Sequence, residues 1–204
     1  MTIRLHQGDL PDLSRYSDSV AIDTETLGLN LQRDRLCVVQ LSPGDGTADV
    51  VQIAPGQSSA PNIERLLSDP GVTKLFHFGR FDIAMLSRTF GVIVTSVYCT
   101  KIASKLARTY TDRHGLKDLV RELLGIDLSK QQQSSDWGAG TLTEAQLVYA
   151  ASDVLYLHAL RQKLDMMLAR EGRDGVAQSC FQFLPDRALL DLMGWNDQDI
   201  FSHE

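Results

Sequence analysis

The chain has 204 residues, 43% apolar and 23% charged with the charges interspersed, a make-up that fits one globular domain and excludes a disordered or fibrous chain. A formal net charge of −6 argues against a broad basic face that grips long nucleic acid. No apolar run approaches the ~20 residues of a membrane-spanning helix, and Met1-Thr2-Ile3-Arg4-Leu5 does not open a secretory signal, so no membrane partner is expected.

In chain order, Ser19 to Thr26 (S-V-A-I-D-T-E-T) predicts a strand bounded by Gly28 and Asn30. Leu36 to Leu41 predicts a second, closed by Pro43-Gly44, and Ala48 to Ala54 a third, closed by Pro55-Gly56. Their short turn-rich joints suggest an antiparallel meander. Helical spacing begins at Pro61-Asn62 with Ile63, Leu66 and Leu67 and breaks at Asp69-Pro70-Gly71, before a fourth strand over Lys74 to Phe78. Asp82 to Phe90 predicts a helix stopped by Gly91, and Leu116 to Leu124 another closed by Gly125. Thr143 to Arg170 is the longest helical pattern, with a capping-box start at Thr143-Glu144-Ala145-Gln146 and an end at Gly172.

A polar break, Glu171 to Gly175, precedes a last apolar helical segment, Val176 to Trp195. The expected fold is therefore α/β: a mixed sheet with three consecutive antiparallel strands, covered by helices. Residues 1–175 should form the main domain and 176–204 a helical extension of it. Cys37, Cys99 and Cys180 are odd in number and widely spaced, which predicts buried reduced thiols and the cytoplasm as the compartment.

The acids carry the functional argument. On a strand, Asp23 and Glu25 project to one face while Ile22, Thr24 and Thr26 point to the other. Two carboxylates sharing one space repel unless a cation joins them or one is protonated; an exposed edge strand is the bland alternative. Tyr149 and Asp153 lie four apart on one helical face among Ala150, Ala151, Val154 and Leu155, where a core Tyr–Asp hydrogen bond would also serve. Asp82 opens a helix just after a strand, a position that a simple cap can also explain. Together they supply what two-metal phosphoryl transfer needs: hard oxygen ligands converging from different elements.

Asp23-Thr24-Glu25-Thr26, His77-Phe78-Gly79-Arg80-Phe81-Asp82 and Tyr149-Ala150-Ala151-Ser152-Asp153, in that order, resemble the three motifs of the DEDD exonucleases, in the DEDDy branch that includes ribonuclease D. The likeness spans about Val20 to Leu160 and includes Lys130 to Trp137, similar to the K-x-x-Q-x-S-D-W stretch of ribonuclease D. That family continues with Arg-Pro-Leu where this chain has Gly138-Ala139-Gly140-Thr141-Leu142, and the residues after Asp153 are too few for its helicase-and-RNase-D C-terminal modules. The short form is similar to the nano-RNase C group, which trims very short oligoribonucleotides and assembles as a ring-like homo-octamer.

The resemblance implies a ribonuclease H-like fold and a 3′–5′ exoribonuclease releasing nucleoside 5′-monophosphates from short single-stranded RNA or dinucleotides. Trimming of longer RNA, hydrolysis of DNA and a catalytically silent nucleotide-binding scaffold stand as alternatives. It implies two Mg2+ ions per site, with Mn2+ as the substitute: Asp23 bridging both, Glu25 and Asp153 on the nucleophile side, and Asp82 supporting the other. Tyr149 would orient the attacking water, Leu29 would wedge against the terminal bases, and His77 and Lys130 would meet substrate. Trp137 is expected to be structural. Residues 101–130 carry seven Lys/Arg against four acids, and Arg108, Arg113, His114 and Lys117 read by default as a solvated basic face. Phe181 to Phe201 is too short for its own core and is expected to lie in or against a subunit interface.

Overall fold

The computed structural model describes residues 1–128 and 135–203. Six strands, β1 (Thr2–Gln7), β2 (Ser19–Thr26), β3 (Leu36–Ser42), β4 (Thr47–Gln52), β5 (Thr73–Phe76) and β6 (Val97–Cys99), form one sheet in the order β1-β4-β3-β2-β5-β6. The meander β2-β3-β4 is antiparallel, as the turn-rich joints predict, while β1, β5 and β6 join it in parallel. Every residue of β3 is buried, which is why its Leu-Cys-Val-Val-Gln-Leu run shows no polar alternation.

The helices are α1 (Pro61–Ser68), α2 (Arg80–Phe90), α3 (Thr100–Ala107), α4 (Leu116–Leu124), α5 (Glu144–Leu155), α6 (Leu157–Arg170) and α7 (Asp174–Leu192). Helix α5 crosses β1 to β4, and α7 packs on α2, β6, α3 and α6. Phe181, Leu184 and Ala188 of α7 belong to the same buried cluster as Val20 and Leu75 of the sheet. Cys37 and Cys99 are buried free thiols, and Cys180 is half-buried.

Several details differ from the sequence reading, beginning with β1, β6 and α3, which no expected element covers, and Cys180, which is half-buried rather than buried. The helical pattern of Thr143 to Arg170 is two helices, because Tyr156, at φ −106 and ψ −4, caps α5 at its C-terminus and opens α6. Strand β5 ends at Phe76 rather than Phe78, and α2 starts two residues before Asp82. Arg108 is buried rather than part of a solvated face: it pairs with Glu122 and donates to Ser104 Oγ and the Arg113 carbonyl.

Candidate active site

The register of the meander sets the floor of the site. Asp23 stands opposite Gln40 and Glu25 opposite Val38, with a register shift between Glu25 and Thr26 where the strand leaves the sheet. Strand β5 pairs with β2 only from Ser19 to Ala21, so the stretch from Asp23 onward has no strand on that side. The chain turns there through Phe78, at φ 63, and Gly79. A Cβ on Gly79 would lie 2.5 Å from Phe76 Cβ, so only glycine permits this turn. The turn delivers Asp82, the third residue of α2, against β2, where Thr24 Oγ1 donates to its Oδ1 at 2.6 Å.

From the other side α5 brings Tyr149 and Asp153 over the same floor. Its start is fixed by the predicted capping box: Thr143 Oγ1 accepts from the Gln146 N–H while Gln146 Oε1 accepts from the Thr143 N–H. The Tyr149 ring packs on the buried Trp137, centroids 6.0 Å apart, which accounts for Trp137 structurally.

Asp23, Glu25 and Asp153 each place a carboxylate oxygen within 4.8 Å of the others. Asp82 stands outside that trio but close enough to repel it. Burial, then the neighbouring Asp82, Asp153 and Glu25 charges, hold the Asp23 carboxyl far above the usual carboxylate range, and its bond from the Thr24 N–H offsets this only partly. Burial and the Asp153 and Asp82 charges push Glu25 up to about 9. Burial also raises Asp82, opposed by the Thr24 hydroxyl, and Asp153, opposed by the Tyr149 hydroxyl beside it. Burial and the same carboxylates raise the Tyr149 hydroxyl, so it stays protonated at neutral pH.

A set of buried oxygens that repel one another, each short of a positive charge, fits hard divalent cations by its donor chemistry. Such an ion would reverse the cost of bringing them together.

The carboxylates open into a cleft of about 930 Å³. Leu29 stands at its lip, 83% exposed, and His77 forms part of its wall. Thr100 Oγ1 donates to the Phe76 carbonyl and therefore accepts from His77 Nδ1 at 2.9 Å, which places the ring proton on Nδ1 and leaves Nε2 an acceptor. Burial and the nearby Lys101 lower the His77 pKa to about 3, so the ring is neutral. Lys117 also lines the cleft, while Lys130 lies outside the described residues. Thr24 and Phe78 escape a sequence reading: Thr24 alternates away from Asp23, and nothing in the spacing marks a left-handed Phe.

A mixed sheet with strand carboxylates, a helix-start aspartate and a helical Tyr–Asp pair around one cleft defines a 3′–5′ exonuclease domain of ribonuclease H-like fold. The chain belongs to the 3′–5′ exonuclease family, whose sequence model matches residues 10–169. Over its full length it is similar to NrnC of Brucella melitensis: 62% identical, TM-score 0.97, to the form with bound Mg2+, each chain covered in full. It is 63% identical, TM-score 0.98, to the form of that protein bound to pGG, again with both chains fully covered. Ribonuclease D of Gluconacetobacter diazotrophicus is 38% identical over 176 residues, 86% of this chain and 44% of that one. The chain thus spans less than half the length of the curated ribonuclease D relatives it matches. Among the described residues no helix is long and apolar enough to cross a membrane.

Proposed function

We propose that the chain is a magnesium-dependent 3′–5′ exoribonuclease that releases nucleoside 5′-monophosphates from very short oligoribonucleotides, dinucleotides above all. The observation that carries this reading is the convergence of Asp23, Glu25 and Asp153 within 4.8 Å, beside Asp82 and Tyr149, in a cleft of about 930 Å³. That volume suits one small ligand rather than a folded RNA. The likeness to a protein solved with Mg2+ and with pGG supports both the cofactor and the short substrate.

Asp23, Glu25, Asp82 and Asp153 would hold two ions, with Mn2+ as the substitute. When bound, such ions lower the pKa of a coordinated water and stabilise charge on the leaving 3′ oxygen. Tyr149, protonated at neutral pH, orients the attacking water rather than taking its proton. Attack at the terminal phosphorus breaks the P–O3′ bond, and the proton released by the water is matched by one gained at the leaving 3′ oxygen. Leu29 at the lip wedges between terminal bases. His77, neutral and accepting at Nε2, suits the 2′-hydroxyl of a ribose, a group that DNA lacks. Lys130 retains the phosphate contact that the family resemblance implies. We assign the segment around α7 to a homo-oligomer contact, octameric by that resemblance, and the protein to the cytoplasm.

The test is the initial rate on 5′-labelled RNA and DNA dinucleotides, pentamers and long oligomers in magnesium. Fastest turnover of RNA dinucleotides is expected. Faster turnover of long RNA would favour a ribonuclease D-like role, faster turnover of DNA a deoxyribonuclease, and no turnover a silent scaffold.

A further inference from the structure

Phe78 occupies a conformation that its own packing does not repay. Its φ of 63 lies in the left-handed region, where a bulky residue is a rare outlier, yet the residue is 49% exposed. Glycine would adopt this turn without strain, so the backbone itself has no need of phenylalanine. Nor does the core, to which Phe78 does not belong. The ring stands in the wall of the catalytic cleft beside His77, and Lys101, the second residue of α3, holds its Nζ 4.1 Å from the ring centroid. One aromatic face is thus backed by a cation, which favours this orientation of the ring. Backbone strain of this kind persists where the surroundings over-determine it, and it gathers at binding sites.

We infer that the free face of Phe78 is a stacking platform for a nucleobase of the bound oligonucleotide, which makes Phe78 a specificity-determining residue of the exonuclease reaction. The inference rests on the function proposed above. Lys101 backs the ring without lining the cleft, where the neighbours of Phe78 are the neutral His77 and the apolar Phe81, so the part of a nucleotide received here is the base rather than a phosphate. Every base presents a π-face, so the platform selects for the presence of a base and tolerates its identity.

The test pairs Phe78→Gly and Phe78→Trp with RNA dinucleotides that are intact, abasic at the 3′ nucleotide or abasic at the 5′ nucleotide. For Phe78→Gly on intact substrate, KM should rise about tenfold with little change in kcat, the size expected for loss of one stacked base. Its melting temperature should hold or rise, because glycine relieves the strained φ. Phe78→Trp should keep the wild-type KM. On the substrate lacking the stacked base, wild type and Phe78→Gly should converge, an outcome that a purely structural role would not give.

An unchanged KM on intact substrate overturns the inference. So does an equal rise on both abasic substrates, or a KM change that accompanies a fall in assembly mass by light scattering, which would make the ring a subunit contact. If the wild type fails to hydrolyse RNA dinucleotides, the function proposed above fails instead. The platform is then judged by equilibrium binding of the same three ligands to the wild type and Phe78→Gly, with equal affinities counting against it.

Discussion

Thr24 Oγ1 donates to Asp82 Oδ1 at 2.6 Å, so the strand residue between Asp23 and Glu25 holds the carboxylate that reaches the site from α2. Alternation sends Thr24 away from its two acidic neighbours, and Asp82 meets it because β5 stops pairing with β2 at Ala21. Thr24→Val keeps the branched shape and removes the donor. Hydrogen bonds to charged groups contribute about 1.5–3 kcal/mol, so turnover in magnesium should fall about tenfold or more. The melting temperature without metal should also fall, by about 2–4 °C for each kcal/mol lost. Wild-type kcat in this variant would show that Asp82 needs no such support.

The carboxylates should make the metal-free protein less stable as pH rises. Glu25 carries a folded-state pKa of about 9 against an ordinary 4.5, so between those values the folded chain binds more protons than the unfolded one, and stability falls with increasing pH. Glu25→Gln should therefore melt higher than the wild type at pH 8 in chelator, with the gap closing toward pH 4.5. Magnesium should raise the wild-type melting temperature by mass action and the variant's by less. Asp23→Asn, Asp82→Asn and Asp153→Asn should each abolish nearly all turnover with the fold intact. Equal magnesium shifts in wild type and Glu25→Gln, or wild-type hydrolysis by any two of the Asn variants, would contradict the proposed ligand set.

Tyr149→Phe separates water positioning from metal binding. The hydroxyl is held protonated by burial and by Asp153 and Glu25, and its ring packing on Trp137 survives the change. Turnover should fall strongly while calorimetric magnesium affinity stays near wild type. Parallel loss of both would make Tyr149 part of the ion site.

Much of this site was legible because it follows the two simplest periodicities. Asp23 and Glu25 share a strand face by the period of two, Tyr149 and Asp153 share a helix face by i, i+4, and Thr143 with Gln146 marks the start of α5. What escaped depends on contacts distant in sequence. Strand β1, Thr-Ile-Arg-Leu-His-Gln, alternates polar and apolar residues over too short a run, and burial does not follow the pattern, since Leu5 is exposed and His6 half-buried; backbone pairing to β4 and the His6–Asp49 contact hold it. Strand β6 has three residues, too few to show a period. The break at Tyr156 has no glycine or proline to announce it, whereas Pro185 sits inside α7 without ending it.

Lys74 gives a prediction away from the site. Its side chain is fully buried, and its Nζ donates to the Asp69 and Val72 carbonyls at 2.6 and 2.7 Å. Burial lowers its pKa from 10.5 to about 8. Between those values the unfolded chain binds more protons than the folded one, so this group makes stability rise with pH across that window. Lys74→Met lacks the effect. The stability of Lys74→Met relative to wild type should therefore fall by up to about 3 kcal/mol from pH 7.5 to pH 10.5, read from urea melts. A pH-independent difference would mean that Lys74 titrates normally.

The C-terminal segment has two faces with different needs. Phe181, Leu184 and Ala188 are covered by the domain itself, and the Phe181 ring lies 4.5 Å from that of Tyr98. Removing α7 would therefore open the core, and truncation cannot isolate an assembly role. Leu189, Met193, Ile200 and Phe201 stay exposed, Phe201 by 77%. An apolar group of this kind on a small domain calls for a partner surface. In the homo-oligomer proposed above, a second copy of the chain would supply one through the repeated contacts of a closed ring. Leu189→Glu with Met193→Glu places two charges on this face and leaves the buried residues alone. Light scattering should give a lower mass for this double variant than for the wild type, with the melting curve of the subunit fold retained. A monomeric wild type, or an unchanged mass in the double variant, would remove α7 from the assembly.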